Sequence, residues 1–192
     1  MRLTGGEHGG RLLKVPADGT RPTQDKVRAA IYSSLAAAVP GARVLDLFAG
    51  TGALGLEAWS RGAAWVEWVE NGPHALRALR ANLAALRVPP EAGRVLAADV
   101  FRLLAAPRAG TPFDFALADP PYAEARDKGW LAQLADLLAR NGWVRPGGVF
   151  VFETEGKEPP PPLPGWSLAR DKTYGATRVW IWMRESGGPA DP

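Results

Sequence analysis

A short apolar run that ends in a glycine-rich turn, residues 44–55, restricts the fold of this chain more than any other stretch. Residues 44–48 are long enough for a buried strand, and good helix formers follow the small residues of the turn. A strand, a glycine turn and a helix N-terminus together form the crevice in which α/β folds bind cofactors. Gly50 and Gly52 let the backbone approach a ligand closely, because neither carries a Cβ atom.

Asp46 distinguishes between two possible ligands of such a crevice. The glycines of the turn also fit the G-x-G-x-x-G pattern of dinucleotide-binding proteins, with Glu70 about 20 residues later. A carboxylate inside the strand would repel a pyrophosphate, whereas it suits a ligand with a cationic amine. We therefore expect S-adenosylmethionine (SAM), which carries an amino group, a sulfonium and a ribose. The alternative is that Asp46 is a buried acid that only caps the glycine turn.

The amino-acid composition excludes several classes of protein and several kinds of site. With 192 residues, of which 46% are hydrophobic, the chain predicts one domain with a sizeable core. The absence of cysteine excludes disulfides, cysteine-ligated zinc and thiol nucleophiles, and with two histidines we expect no metal site. No run of 18 apolar residues is present, so we expect no membrane partner. We expect a cytoplasmic monomer.

Positive charge is concentrated near the N-terminus. Residues 1–43 contain seven basic and three acidic residues, although the net charge of the whole chain is only +3. A basic arm on a near-neutral body predicts a polyanionic partner such as nucleic acid, and the alternative is an ordinary solvated surface. Because residues 1–22 lack an apolar period, we expect an irregular hairpin that binds RNA and does not build the core. The predicted RNA contacts are Arg2, Arg11, Lys14, Lys26 and Arg28.

Strand and helix patterns alternate along the middle of the chain, which predicts a parallel sheet covered on both faces. Thr23 is expected to cap a first helix that runs to about residue 38. The predicted strands are residues 44–48, 65–69, 94–97, 113–118 and 149–153. The predicted helices between them are residues 53–61, 73–86, 100–104 and 128–141.

The C-terminal part follows a different pattern. Residues 166–172 and 177–183 alternate between apolar and polar side chains around a short turn, which predicts a β-hairpin and hence an antiparallel edge of the sheet. Residues 185–192 have the composition of a disordered tail. The sequence therefore predicts an arm at residues 1–22, one α/β domain at residues 23–184 and a tail.

Two further acids follow predicted strands. Glu70 can accept hydrogen bonds from both ribose hydroxyls of a nucleoside, or it can simply be the acid at a helix N-terminus. Asp99 can accept from an adenine amino group while Val100 or Phe101 packs on the ring, or it can cap the short helix that follows. Since successive parallel strands end at one edge, we expect these acids to line one crevice with Asp46. We also expect Phe48 and Asn71 to contact the cofactor.

The fourth strand ends in the motif D-P-P-Y, which is the most specific signal for chemistry in this sequence. Asp119 and the carbonyl of Pro120 can each accept a hydrogen bond from an exocyclic amine. Pro120 and Pro121 stiffen the turn, and the ring of Tyr122 offers a stacking face for a base. Two acceptors on an aromatic amine would favour pyramidal geometry and direct its lone pair at a methyl donor. The alternative is a proline-rich strand exit without a chemical role.

The combination L-D-L-F-A-G-T-G and D-P-P-Y resembles the SAM-dependent amino-methyltransferases that act on nucleobases. With L-T-G-G-x-x-x-G-R-x-L and R-P-T-x-D-x-V-R near the N-terminus, residues 2–155 resemble the RsmD-type 16S rRNA guanine-N2 methyltransferases. The resemblance implies a seven-stranded Rossmann-like fold with an N-terminal hairpin and a guanine of small-subunit rRNA as the substrate. It assigns SAM binding to Asp46, Gly50, Gly52, Glu70 and Asp99, catalysis to residues 119–122, and closure over the cofactor to Arg21 and Thr23.

Three other functions compete with this one. A DNA adenine methyltransferase also uses D-P-P-Y, although the chain is short for one with a target-recognition domain. A non-catalytic RNA-binding assembly factor could keep the same fold, although the intact motif disfavours it. An NAD oxidoreductase is disfavoured by Asp46.

Overall fold

The structure, a computed structural model, describes residues 1–15, 23–156 and 158–187. Helices and strands alternate over most of these residues. The helices are α1 (Thr23–Leu35), α2 (Ala53–Ser60), α3 (Pro73–Leu86), α4 (Val100–Leu104), α5 (Tyr122–Asp127) and α6 (Trp130–Arg140). The strands are β1 (Arg43–Leu47), β2 (Trp65–Glu70), β3 (Gly93–Ala97), β4 (Phe113–Ala118), β5 (Val144–Glu155), β6 (Trp166–Tyr174) and β7 (Thr177–Arg184).

The seven strands form one sheet in the order β3-β2-β1-β4-β5-β7-β6. Strands β1 to β5 are parallel, whereas β7 is antiparallel to both β5 and β6. This confirms the predicted mostly parallel sheet with an antiparallel C-terminal hairpin. The strand order reverses between β1 and β4, so a crevice opens there outside the carboxyl ends of the strands.

Helices cover both faces of the sheet, because successive side chains of each strand point to opposite faces. On one face Val44 and Leu117 pack in a cluster with apolar residues of α1, α2 and α3. On the other face Leu45 and Ala116 pack with apolar residues of α4, α5 and α6. Asp46 alternates with Leu45 and therefore lies on the face covered by α1 to α3.

The N-terminal arm contributes to the core, which corrects the prediction that it does not. Leu3 and Leu13 are buried in the same apolar cluster as residues of α1, and an isolated bridge joins Arg2 to Leu12. Hydrogen bonds also join the arm to the body, since the backbone N–H and the side-chain hydroxyl of Thr4 donate to the two carboxylate oxygens of Glu57 at 2.8 and 2.7 Å. Within residues 1–15, the arm contributes two buried leucines to this cluster, Leu3 and Leu13, and two apolar residues in a glycine-rich segment are too few to form a recognisable periodic pattern.

Two elements differ from the sequence-based prediction. Helix α5 was not predicted, and it begins directly after Pro121, a residue that tolerates the start of a helix because it needs no amide hydrogen. Strand β5 begins at Val144, five residues earlier than predicted, and its register against β4 shifts between Phe113 and Phe115. The shift accommodates the segment around Pro146 and two glycines, which resembles a turn in sequence.

Some predictions lie outside the described residues. These are Arg21, the boundary at residue 22 between arm and domain, and residues 188–192 of the tail. Helix α1 begins at Thr23 as predicted, but the side chain of Thr23 also lies outside the described part. None of the helices in the described ranges has the length and apolar character needed to cross a membrane.

Candidate active site

A cavity of about 210 Å³ lies where the strand order reverses. Acids from three neighbouring strands form part of its wall, namely Asp46 of β1, Asp119 after β4 and Glu153 of β5. The glycine turn and the start of α2 form another part, and Met1 and Val15 of the arm close it. Residues of the glycine turn, which is predicted to bind the cofactor, and Asp119 of the predicted catalytic motif therefore line the same cavity.

Asp46 is the buried anchor of this cavity. Its Oδ2 accepts a hydrogen bond from the backbone N–H of Gly55 at 2.8 Å, in the first turn of α2. Burial raises the pKa of Asp46 well above its usual value, and the nearby carboxylates of Asp119 and Glu70 raise it further against the opposing Gly55 hydrogen bond. Asp46 thus caps the turn, as the alternative interpretation held, and also presents a carboxyl group to the cavity.

The glycines of the turn have different structural roles. Gly50 lines the cavity and has a φ of +57°, a conformation that favours glycine. Gly52 does not line it; a Cβ atom there would lie 2.3 Å from Leu79 Cδ1, so this glycine lets α3 pack closely. Phe48 also has a positive φ, +56°, which is uncommon for a bulky residue and directs the backbone out of β1.

Glu70 connects the end of β2 to the glycine turn. Its Oε2 accepts from the N–H of Gly50 at 2.8 Å, and its Oε1 accepts from the N–H groups of Asn71 and Gly72 at 2.9 and 2.7 Å. Glu70 is therefore also the acid at the N-terminus of α3. A carboxylate has about four acceptor positions, so the geometry leaves about one for a ligand hydroxyl.

Asp99 and Val100 lie further out, at the start of α4. Asp99 is exposed and caps α4 by accepting from the N–H of Arg102 at 2.9 Å, while Val100 is buried. Beside them Phe48 stacks on Trp130 with ring centroids 5.2 Å apart, and Phe101 lies 5.1 Å from the same Trp130 ring. This aromatic cluster of Phe48, Phe101 and Trp130 offers an apolar surface suited to a flat ring.

The D-P-P-Y motif lies at the carboxyl end of β4. Asp119 is half-buried, Pro120 is buried, and Pro121 occupies the N-cap position of α5 with a φ of −56°. Tyr122 is half-buried and is the first residue of α5. Asp119 lines the cavity, whereas Tyr122, three residues further along the chain, is not among the residues that line it.

Two charged residues at the cavity were missed as site residues. Glu153 interrupts an apolar run in β5, just as Asp46 interrupts one in β1. A charged residue inside an apolar strand is the sequence feature by which Glu153 could have been predicted as a site residue. Arg28 lies three and four residues before the buried Ile31 and Tyr32, a spacing that places it on the inner face of α1. Arg28 is predicted from the sequence to be a surface cation, but its ionic partners Glu57 and Asp25 hold its guanidinium inside the protein.

The prediction of Arg28 as an RNA contact is therefore wrong. Its guanidinium is buried and pairs with Glu57 at 3.1 Å and Asp25 at 2.8 Å, and it also donates to the carbonyl of Arg2. The other four predicted RNA contacts have exposed side chains: Arg2, Arg11, Lys14 and Lys26. Lys14 is held in place through its backbone, which exchanges two hydrogen bonds with Asn82 of α3 at 2.7 and 3.0 Å.

The chain is similar over nearly its whole length to a protein family and to several known proteins. The family model described as conserved hypothetical protein 95 matches residues 1–183. The ribosomal RNA small subunit methyltransferase D of Escherichia coli K12 is 37% identical over 193 residues, which cover 100% of this chain and 93% of the relative. The protein of the same name from Haemophilus influenzae is 32% identical, over 95% of this chain and 93% of the relative. The solved structure of Escherichia coli yhhF matches with a TM-score of 0.85 and 37% identity, over 97% and 98% of the two chains.

Proposed function

The chain belongs to the family described as conserved hypothetical protein 95, and on that premise we propose that it methylates the N2 amine of one guanine in 16S rRNA of the small ribosomal subunit, with SAM as the methyl donor. One observation carries the proposal. Asp119 of the D-P-P-Y motif and Asp46 of the cofactor turn border the same cavity at the point where the strand order reverses.

The residues around the cavity fit SAM. Asp46 and Asp119 place two carboxyl groups in the wall, and a cationic amino group and sulfonium would favour their ionised forms. Glu70 offers its remaining acceptor position to a ribose hydroxyl, assisted by the neighbouring Asn71. Asp99 and Val100, next to the aromatic cluster, form the adenine side. Arg21 and Thr23 stay predicted to close over the cofactor.

When bound, SAM supplies a methyl group on sulfur, and the sulfur keeps the electron pair of the broken bond. Asp119 and the carbonyl of Pro120 accept hydrogen bonds from the guanine N2 amine and direct its lone pair toward the methyl donor. As the new N–C bond forms, N2 becomes acidic and releases a proton to Asp119 or to water. Holding the two reactants in this geometry supplies much of the acceleration.

A guanine inside a stem cannot present its amine, so the target guanine is unstacked or flipped out when it reaches the cavity. Tyr122, which is half-buried, then replaces the lost stacking partner, a contact worth about 1–3 kcal/mol per base. The four exposed cations Arg2, Arg11, Lys14 and Lys26 bind the phosphates around it. A monomeric state and a cytoplasmic location stay predictions.

Methyl transfer from tritiated SAM tests the proposal. The purified chain is incubated separately with small subunits, free small-subunit rRNA, large-subunit rRNA and DNA, and the labelled nucleoside is identified by mass spectrometry. We expect label only in small-subunit rRNA, as N2-methylguanosine at one position. Label in DNA adenine would support the DNA adenine methyltransferase instead, and no label in any substrate would support the non-catalytic assembly factor.

A further inference from the structure

We propose that Glu153 recognises the N1–H group of the target guanine and thereby makes the site select guanine over adenine. The inference rests on the proposed function, since it assigns a specificity role within the same site. A residue that distinguishes the two purines is needed because the D-P-P-Y motif is proposed to bind an exocyclic amine, and both guanine and adenine have one.

The sheet places Glu153 beside Asp119. Strands β4 and β5 are parallel neighbours, and Ala118 is paired with Phe152, so the next residues of the two strands are Asp119 and Glu153. Neighbouring strands lie about 4.8 Å apart, a distance that lets two side chains contact adjacent atoms of one base. Both residues line the cavity, on the face of the sheet that also carries Asp46.

The surroundings of Glu153 indicate a role beyond packing. Only 5% of the residue is exposed, and its neighbours in β5 and β7 include the buried residues Phe152 and Val179. Burial raises the pKa of Glu153 well above its usual value, Asp119 and Asp46 raise it further, and Arg28 acts in the opposite direction. The positive charge of Arg28 is shared with Glu57 and Asp25. A donor from a bound base would therefore relieve a costly burial.

The chemistry of the two purines gives the selectivity. On guanine the N2 amine is next to N1–H, so two adjacent atoms donate hydrogen bonds. On adenine the corresponding amine is next to an N1 atom that accepts. The positive charge of Arg28 and a hydrogen bond donated by N1–H both favour the ionised form of Glu153. An ionised carboxylate can only accept, so in that state Asp119 and Glu153 together match guanine, whereas adenine directs a lone pair at Glu153. A flipped-out base is recognised at this same Watson–Crick edge.

The test replaces the target guanine with 2-aminopurine, which keeps the 2-amino group but has an acceptor at N1. Synthetic RNA carrying either base at the mapped position is ligated into small-subunit rRNA and assembled into subunits. At saturating SAM, we expect the wild type to methylate guanine about 10- to 100-fold faster than 2-aminopurine, the effect of one hydrogen bond to a charged group. Glu153→Gln should methylate guanine more slowly and lose most of this preference, because an amide can either accept or donate.

Glu155→Gln is the matched control, since Glu155 is an exposed acid two residues further along β5. It should keep the wild-type preference. The inference is overturned if the wild type shows no preference, if Glu153→Gln keeps the wild-type ratio, or if Glu153→Gln slows both substrates equally. A wild type without a preference overturns the inference even if Glu153→Gln does not fold. A wild type that methylates no guanine at all overturns the proposed function as well, which is a distinguishable result.

Discussion

Buried carboxylates at the cavity couple the chemistry of the site to the stability of the protein. Asp46 has a pKa raised mainly by burial, so the folded state holds its proton more tightly than the unfolded chain does. Between the usual value of 3.8 and the raised value, the unfolded chain binds fewer protons. The contribution of Asp46 to the free energy of unfolding therefore falls as the pH rises through this window.

Replacing Asp46 by Asn should accordingly stabilise the cofactor-free protein. An Asn oxygen can still accept from the N–H of Gly55, while the buried charge is gone. The gain over the wild type in the free energy of unfolding should grow as the pH rises from about 4. Urea unfolding at a series of pH values measures this difference. A difference that does not change with pH would show that the ionisation of Asp46 carries no cost.

Glu70→Ala should weaken SAM binding about tenfold or more. The change removes the acceptor for a ribose hydroxyl, and a hydrogen bond to a charged group contributes about 1.5–3 kcal/mol. It also releases the N–H of Gly50. Titration calorimetry gives the affinity, with Glu91→Ala, a change at an exposed acid outside the site, as the control. Equal affinities of the two variants would remove Glu70 from the cofactor site.

The N-terminal arm combines a structural anchor with a charged surface, and the two can be tested separately. Leu3 is fully buried, so Leu3→Ala should lower the free energy of unfolding by about 2–5 kcal/mol. Leu12, which is 78% exposed on the same arm, is the control, and Leu12→Ala should change stability by less than about 0.5 kcal/mol. Denaturant titration compares them. Equal stability of Leu3→Ala and the wild type would contradict the anchoring role.

The charged surface of the arm should affect RNA alone. Changing Arg2, Arg11 and Lys14 to Ala should raise the Michaelis constant for small subunits and make it less dependent on salt, because fewer phosphate contacts remain. SAM affinity and the unfolding midpoint should stay unchanged, since these three side chains are exposed. Arg140→Ala, an exposed cation of α6 paired with Asp136, is the control. An unchanged Michaelis constant and salt dependence would show that the arm is an ordinary solvated surface.

Periodic patterns predicted most elements of the sheet and its helices. Helix α3 and helix α4 have the predicted bounds, and β4 does too. Helix α5 and the early part of β5 were missed because prolines and glycines suggest turns locally, whereas the register with β4 and the cap at Pro121 depend on the assembled sheet.

The site was only partly predictable for a related reason. Strand ends and glycines identify Asp46, Gly50 and Asp119 from local sequence alone. The inward direction of Arg28 depends on Glu57 of another helix, and the position of Glu153 beside Asp119 depends on strand order. Those pairings are set by residues distant in the chain, so no local pattern contains them.

For the whole molecule, the central claim is that methyl transfer takes place in the cavity between β1, β4, β5 and the arm. The sheet, the helices and the arm all contribute to this cavity. The sheet supplies the acids, α2 supplies the backbone donor for Asp46, and the arm supplies Met1 and Val15. Asp119 is the residue of this cavity that the account places on the reacting amine. Its removal therefore tests the claim more directly than any change in cofactor or RNA binding.

The measurement is the single-turnover rate of N2-methylguanosine formation with saturating SAM and small subunits. Asp119→Ala should be slower than the wild type by about 10²-fold or more, in the range of positioning and acid–base losses. SAM should still bind at the saturating concentration, because the proposed ribose and adenine contacts lie on other strands. Asp136→Ala, a change at an exposed acid of α6, should leave the rate unchanged. A near-normal rate for Asp119→Ala would contradict the assignment of the D-P-P-Y motif to the chemistry, and with it the central claim.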